Sequence, residues 1–419
     1  MKWNAYGHTY LGTSPGSAAA GKLSTNVDFY LMDEEHGIYI VCDAIQDMNA
    51  KQKISEVCAR AIREVVVQGK EYLNVYRTDK SLKNRSIIAG LLQKGVQSAH
   101  QKALTLFQSG DSTGKALTTL ECLLLLDDYA IITHIGDSRV YLSREGVLHL
   151  LTKDHRDDGK FLTRALGALP SVQADTLQVE LNAGDVFFLC SSSVSDHLSV
   201  EDLITQLEHE PSAVPLQVEK TLKSKGSTEL STYLVLQSER EVKSDPGVMS
   251  VVKKTEIMKK ISIFRFMTYQ EITKVLSCAQ VRNFRKGEVL LEEGARSDEM
   301  FIIADGTVEV VKGDVLITKR GAGDVFGEMG LFENVPRSAS IRASKDGCAL
   351  TLKRSELLIL LRQDSPICVK LLWALNSELN QRLRKATTDQ AAQVASGNTF
   401  TEDNEVVEMN EVPFSFDGQ

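Results

Sequence analysis

The sequence has no apolar run near the roughly 18 residues that a membrane-spanning helix needs, and no apolar segment follows a basic start at its N-terminus. It also has no excess of basic residues, since 48 Lys and Arg stand against 56 Asp and Glu. The net charge of −8 argues against a general nucleic-acid-binding protein, which needs a basic face. We therefore expect a cytoplasmic protein with no membrane span and no nucleic-acid partner.

Cysteine is sparse and unpaired in pattern. The seven residues are odd in number, and none forms a Cys-x-x-Cys pair. Most lie in apolar runs, which favours buried, reduced thiols over disulfides or a zinc site. The cysteines are Cys42, Cys58, Cys122, Cys190, Cys278, Cys348 and Cys368.

What the sequence does contain is enough length, at 419 residues, for two or three domains with cores of their own. From residue 1 to 237, β-favouring runs alternate with segments of helical spacing. This alternation predicts an α+β sandwich. The predicted strands are Gly37–Cys42, Leu123–Leu126, Tyr129–Ile132, Val186–Cys190 and Tyr233–Leu236, and the clearest helix is Ile54–Val67.

Three motifs in this part carry a resemblance: Ile135–Leu142, Leu151–His155 and Leu162–Gly167. Their order and spacing resemble those of the metal-dependent protein phosphatases of the type 2C class. The resemblance implies a β-sandwich flanked by helices, with carboxylates that hold two magnesium or manganese ions and activate a water against a phosphomonoester. By that resemblance, Asp43 and Asp28 are the metal ligands that remain.

Several other positions of the phosphatase pattern have lost their chemistry. Valine cannot coordinate a metal, and a serine hydroxyl is a weak neutral ligand. We therefore predict a degenerate phosphatase domain, in which Asp28, Asp43, Asp137 and Asp196 form either a weak metal site or a structural cluster of turn aspartates. His134 and His155 are interpreted as packed or solvated. The altered positions are Leu23, Val27, Ala44, Ser192, Glu229 and Leu230.

A polar, charged stretch at residues 238–255 with Asp245-Pro246-Gly247 predicts a linker. Short β-favouring runs with glycine corners then predict a closed antiparallel roll within residues 256–388. The stretch from Phe326 to Ala343 combines a glycine-permitted turn, the acid Glu328 and the arginine Arg337. Backbone N–H groups and a guanidinium together favour a bound phosphate.

That stretch resembles the phosphate-binding cassette of cyclic-nucleotide-binding domains, the family of the catabolite activator protein and of kinase regulatory subunits. The resemblance implies a jelly-roll domain with cAMP or cGMP as ligand, in which Glu328 binds the ribose 2′-hydroxyl and Arg337 the cyclic phosphate. Ser338 leaves the choice of base open. The predicted nucleotide-binding residues are Phe326, Gly327, Glu328, Met329, Arg337, Ser338 and, toward the base, Thr387.

The chain ends in a helical pattern and an acidic stretch. From Pro366 to about Lys385 an apolar stripe predicts a helix that covers the nucleotide, packs as an ordinary helix or forms a dimer seam. Residues 389–419 are predicted to be a disordered acidic tail. A helix-turn-helix domain after this helix is not expected.

Three functions remain open at this point. The first, which we favour, is a cyclic-nucleotide-sensing signalling protein whose catalytically poor phosphatase-like domain docks a phosphoprotein or signalling partner. The second is a nucleotide-regulated Ser/Thr phosphatase that uses magnesium or manganese. The third is a scaffold in which both domains are degenerate.

Overall fold

The computed structural model describes residues 2–11, 28–45, 53–108, 117–157, 161–238, 251–261, 264–327, 336–363, 366–374, 376, 377, 380 and 384. Strands in the N-terminal part are β1 (Trp3–Leu11), β2 (Phe29–Asp33), β3 (Ile38–Cys42), β4 (Ala44–Ile45), β5 (Leu117–Thr118), β6 (Leu120–Leu125), β7 (Tyr129–Ile135), β8 (Arg139–Arg144), β9 (Val147–Leu150), β10 (Arg156–Asp157), β11 (Phe161–Leu162), β12 (Asp175–Glu180), β13 (Val186–Cys190) and β14 (Leu230–Ser238). Helices there are α1 (Ile54–Gln68), α2 (Lys70–Thr78), α3 (Leu82–Gln108), α4 (Ser192–His197), α5 (Val200–Leu207) and α6 (Val214–Ser224).

Two five-stranded antiparallel sheets form the centre of this part. Their strand orders are β1-β14-β13-β8-β9 and β12-β7-β6-β3-β2. The strand β3 is apolar throughout because both of its faces are covered. Ile38, Ile40 and Cys42 pack in one cluster with α1 and α3, whereas Tyr39 and Val41 belong to the core shared with the other sheet. The result is the predicted sandwich with helices on its outside.

Helices cover the outer face of each sheet because the central strands carry apolar side chains on both faces. Along β13 and β14, alternate side chains point to the inter-sheet core and to a separate cluster that contains residues of α4, α5 and α6. Phe187 and Leu189 lie in the inter-sheet core, while Phe188 and Cys190 lie on the helix side. Both strands thus bury apolar side chains on each of their two faces.

The C-terminal part consists of strands and a few helices. Its helices are α7 (Val251–Lys260), α8 (Tyr269–Ser277) and α9 (Arg354–Gln363), and residues 366–374 are also helical. Since α7 begins at Val251, the last five residues of the predicted linker belong to a helix. The strands are β15 (Ala279–Phe284), β16 (Val289–Leu291), β17 (Glu299–Asp305), β18 (Thr307–Lys312), β19 (Val315–Gly321), β20 (Val325–Phe326), β21 (Ser340–Ala343) and β22 (Gly347–Lys353).

These strands form two four-stranded antiparallel sheets, β15-β22-β17-β20 and β16-β21-β18-β19. Phe301, Ile303 and Phe326 lie in the apolar cluster within the roll. A second cluster joins the outer face of β17 and β22 to α7, α8, α9 and the helical residues 366–374. Because β17 alternates, Met300 and Ile302 belong to this second cluster.

Three smaller expectations concern the cysteines, membrane spans and the acidic tail. All seven cysteines lie within the described residues and none forms a disulfide there; four are buried and three half-buried. In the part of the chain that the structure describes, no helix is long and apolar enough to cross a membrane. The predicted acidic tail lies outside the described residues.

Candidate functional sites

The first candidate site is formed by acids at the ends of strands in the sandwich. Phe29 of β2 pairs with Cys42 of β3. Asp28 and Asp43 immediately flank this pair and are therefore neighbours. The Asp28 carboxyl accepts the Ala44 N–H at 3.2 Å and the Thr232 hydroxyl at 3.3 Å.

The two carboxyls interact directly, and their charges are partly removed. Burial, and then the negative charge of Asp43, raise the pKa of Asp28 to about 8. Asp28 is therefore largely protonated at neutral pH and donates to Asp43. Burial also raises the pKa of Asp43, although bonds from Ser192 oppose that shift.

Ser192 occupies a position where the phosphatase pattern has an acid. It begins α4 directly after β13, and its hydroxyl donates to Asp43 Oδ2 at 3.0 Å, with its N–H at 3.3 Å. The serine thus donates hydrogen bonds to the remaining acid instead of adding a second anionic ligand.

Asp28, Asp43, Asp137 and Asp196 are together called the acidic pocket. Arg156 pairs with the last two of these acids. Its Nε donates to Asp137 Oδ2 at 2.5 Å, and its Nη2 lies 3.6 Å from Asp196 Oδ2. Asp137, in the turn between β7 and β8, is therefore ion-paired. Arg156 directly follows the Leu151–His155 motif but was not among the predicted site residues.

These contacts decide whether the pocket fits the two-metal centre that the fold family implies. Ser192 donates to Asp43 where the pattern has an acid, and Asp137 and Asp196 face a guanidinium. Across the described ranges, no three His, Cys, Asp or Glu side chains are grouped so that they could hold a metal ion. The residues present do not fit that centre.

His134 and His155 lie beside this pocket as packed residues. His134 Nε2 must donate to the Lys153 carbonyl at 2.9 Å, because a carbonyl only accepts. Burial lowers the pKa of His134 and raises the pKa of Glu121 well above its ordinary value. His134 Nδ1 and Glu121 Oε1 form a buried hydrogen bond of 2.7 Å. The His134 and His155 rings stack with centroids 4.6 Å apart.

The second candidate site surrounds Arg337. The side chain is 8% exposed, and its guanidinium donates to three backbone carbonyls. Nη1 donates to Gly327 O at 2.9 Å, and Nη2 donates to Ser297 O at 2.9 Å and to Glu299 O at 2.6 Å. These bonds orient the fork beside the point where the cassette begins.

Gly327 is required at this point for two reasons. Its φ of +79° is a conformation that L residues rarely adopt. A Cβ there would lie 2.9 Å from Glu299 O and 3.1 Å from Arg337 Nη1. The preceding Phe326 stacks on Phe301 with ring centroids 5.0 Å apart, which anchors the cassette to the roll.

The structure brings together part of the predicted nucleotide site. Phe326, Gly327 and Arg337 meet at one end of β17 and β20, and Ser338 is exposed next to them. Glu328, Met329 and Thr387 lie outside the described residues. The assignment of all seven residues to nucleotide binding stays a prediction.

Comparison with known proteins supports both resemblances. Residues 281–364 match the cyclic nucleotide-binding domain family model. A cAMP-dependent protein kinase regulatory subunit of Mycosarcoma maydis is 33% identical over 88 residues, which are 20% of this chain and 17% of that protein. The chain thus spans only a small part of the length of this kinase relative.

For the N-terminal part, a putative type 2C protein phosphatase of Streptococcus pyogenes is 27% identical over 208 residues, which are 44% of this chain and 80% of that protein. The structure of the S. agalactiae serine/threonine phosphatase, 21% identical, covers 57% of this chain and 100% of that one at a TM-score of 0.46. The chain therefore joins a type 2C phosphatase-like fold to a C-terminal cyclic nucleotide-binding domain.

Proposed function

We propose that this chain is a cyclic-nucleotide-sensing signalling protein. Its C-terminal domain binds cAMP or cGMP and regulates a phosphatase-like domain that lacks metal-dependent catalysis and docks a phosphoprotein or signalling partner. The observation that carries the proposal is the buried Arg337, whose guanidinium three backbone carbonyls orient beside Gly327.

The environment of Arg337 suits an anionic ligand. Three backbone carbonyls orient the buried guanidinium, which is always protonated. A cyclic phosphate offers two oxygens at the spacing of the guanidinium fork and a full negative charge, which a carbonyl lacks. Gly327 leaves room for the backbone and the fork to approach each other.

The acidic pocket suits docking better than hydrolysis. A shared proton and Arg156 reduce its negative charge, which lessens repulsion of a phosphorylated segment. The same contacts occupy the oxygens that two divalent ions need. The docked partner is therefore expected to leave unhydrolysed.

The direct test is nucleotide affinity of the full chain, measured by calorimetry with cAMP and with cGMP. Arg337→Ala should weaken binding about 100-fold, since it removes charge-assisted bonds to the phosphate. Arg342→Ala is the matched control, because Arg342 is exposed on the neighbouring strand β21 and should bind as the wild type does. Equal affinity of Arg337→Ala and wild type would refute the site.

A second candidate is a nucleotide-regulated, metal-dependent Ser/Thr phosphatase, favoured by the adjacency of Asp28 and Asp43. Manganese-dependent hydrolysis of a phosphopeptide, with and without saturating nucleotide, separates the two. Turnover that Asp43→Asn abolishes would establish the phosphatase. Nucleotide binding without turnover supports the sensor, and failure of both assays would indicate a scaffold.

A further inference from the structure

Helix α8 of the C-terminal part is held by the N-terminal domain at its first turn. The Tyr269 ring stacks on His149 with centroids 3.7 Å apart and an angle of 13° between the planes. The Tyr269 hydroxyl accepts from Arg144 Nη1 at 3.3 Å. Arg144 is itself buried and paired with Asp185, with Nη2 2.6 Å from Oδ2. The first turn of α8 thus rests on a rigid support.

The other end of α8 is held too. Arg85, which is 4% exposed, donates from Nη2 to Ser277 O at 2.8 Å. Its guanidinium also lies 3.6 Å from the centre of the Tyr129 ring. Near α8, Lys254 of α7 pairs with Glu180 of β12 at 2.7 Å. The two parts of the chain therefore meet in a specific, hydrogen-bonded contact.

Gln270 makes the contact that reaches the acidic pocket. Its amide nitrogen donates to Leu150 O at 2.7 Å and to Thr152 O at 2.9 Å. Both N–H groups of the amide are thereby used. Gln270 fixes the point where the edge strand β9 ends and the segment toward Arg156 begins.

Residues 150–156, here named the relay segment, have a contact at almost every step. The Thr152 hydroxyl accepts from Val140 N–H at 3.1 Å, and Lys153 O accepts from His134. Asp154 forms a two-bond ion pair with Arg139 at 2.8 and 2.9 Å. These contacts bond the segment to β7 and β8 and link Leu150 to Arg156 through a continuous series of contacts.

The opposite side of α8 leads to Arg337. Ile272, Val275 and Leu276 of α8 share an apolar cluster with Met300 and Ile302 of β17. The same strand begins at Glu299, whose carbonyl accepts from Arg337 Nη2 at 2.6 Å. A phosphate that takes this donor would release the start of β17, against which α8 packs.

We propose that Gln270 couples the Arg337 site to the position of Arg156 in the acidic pocket. The proposal rests on the proposed function, because it requires a nucleotide at Arg337. Phosphate binding withdraws Arg337 from Glu299 O, α8 shifts with β17, and the Gln270 bonds to the relay segment weaken. Arg156 then leaves Asp137 and Asp196, and the charge of the pocket changes.

Because β9 lies at the edge of its sheet, its displacement breaks few hydrogen bonds. It is the last strand of its sheet and pairs only with β8, through Tyr141 and Leu150 at its far end. An edge strand with one partner loses fewer hydrogen bonds on displacement than a central strand does. The Gln270 clamp replaces part of that missing support.

The test is amide hydrogen exchange of residues 147–157 in the full chain, with and without saturating cAMP or cGMP, read by mass spectrometry. Gln270→Ala should speed exchange there about fivefold without nucleotide, because two hydrogen bonds are lost. Gln97→Ala is the matched control: its amide also donates to a carbonyl, Val172 O at 3.0 Å, but far from α8. It should leave residues 147–157 unchanged.

Nucleotide should speed exchange of the same residues in the wild type and in Gln97→Ala, and add little in Gln270→Ala. Because coupling is reciprocal, Gln270→Ala should also bind nucleotide about fivefold more tightly. A wild type that binds nucleotide without any change at residues 147–157 would refute the coupling and leave the sensor intact. A wild type that binds neither nucleotide would refute both.

Discussion

Two arginines at two sites of one chain show how the same side chain serves different ends. Arg156 faces Asp137 and Asp196, and Arg337 faces three backbone carbonyls. Both arginines donate charge-assisted hydrogen bonds, but a carboxylate adds the attraction of a full negative charge, whereas a carbonyl carries only a partial one. The carboxylate partners of Arg156 are therefore formally charged, and the carbonyl partners of Arg337 are dipoles.

The two sites differ in the partners of their charged residues. In the phosphatase-like part, Ser192 donates to Asp43, and Arg156 pairs with Asp137 and Asp196. In the C-terminal part, three backbone carbonyls orient Arg337. The predictions below test this contrast between arginines that face carboxylates and an arginine that is oriented by carbonyls.

The largest effect is expected at Arg144, a buried arginine that pairs with the Asp185 carboxylate. Asp185→Ala leaves the Arg144 guanidinium, 3% exposed, without its carboxylate. Breaking a buried pair by removing one partner costs about 3–5 kcal/mol. Urea unfolding of the N-terminal domain should show this loss, whereas Glu56→Ala, which breaks the exposed Arg60 pair, should cost about 0–1 kcal/mol. Similar losses in the two variants would contradict the contrast.

The next effect concerns the space between Gly327 and Arg337. Gly327→Ala combines a positive φ with a Cβ at 2.9 Å from Glu299 O and should cost about 2–3 kcal/mol. Gly313→Ala is the matched control, since φ is +56° there and nothing lies within 4 Å of the added Cβ. It should cost about 1–2 kcal/mol. Nucleotide affinity should fall in Gly327→Ala alone; an equal fall in both would show that the crowding is irrelevant.

A smaller effect should follow from freeing the acids of the pocket. Arg156→Gln leaves Asp137 and Asp196 without their cation, so manganese should raise the melting temperature of this variant by about 2–4 °C. The wild type should not respond. Arg60→Gln removes an ion pair outside the pocket and serves as the control. A manganese response in the wild type would contradict the pairing of Arg156 with Asp137 and Asp196.

The smallest effect is a pH dependence at the contact between the domains. Burial, and then the positive charges of Arg144 and Lys259, lower the pKa of His149 to about 4. The unfolded side chain titrates near 6.5, so between pH 6.5 and 4 the unfolded state binds more protons and stability falls as pH falls. His149→Phe keeps a ring on Tyr269 without this titration. Its melting temperature should decline less from pH 7 to pH 5; parallel declines would exclude His149.

Local pattern predicted much of the N-terminal fold. The strand at Val186–Cys190 was predicted with its observed bounds, and the helix predicted at Ile54–Val67 ends one residue later. Both are runs whose apolar spacing reflects burial on one or two faces. Leu126, predicted to lie in a strand, falls just beyond β6, because a run of leucines does not show where pairing ends.

The candidate sites were less predictable. The resemblance singled out Asp28, Asp43 and Arg337, but it could not assign their partners. Arg156 was missed because Asp137 lies in the turn after β7 and Asp196 on α4, both distant from it in the chain. Gln270 was missed for the same reason, since a lone glutamine in a helix has no pattern of its own.

The sequence by itself determined the two folds and the kinds of charged residue at each site, because burial periodicity, glycine corners and motif order are local properties of the chain. The tertiary structure alone decided which charges meet. Whether an arginine faces carboxylates, as Arg156 does, or backbone carbonyls, as Arg337 does, depends on atoms a few ångströms away that belong to other elements. Electrostatic interactions fall off with distance in space, not along the chain.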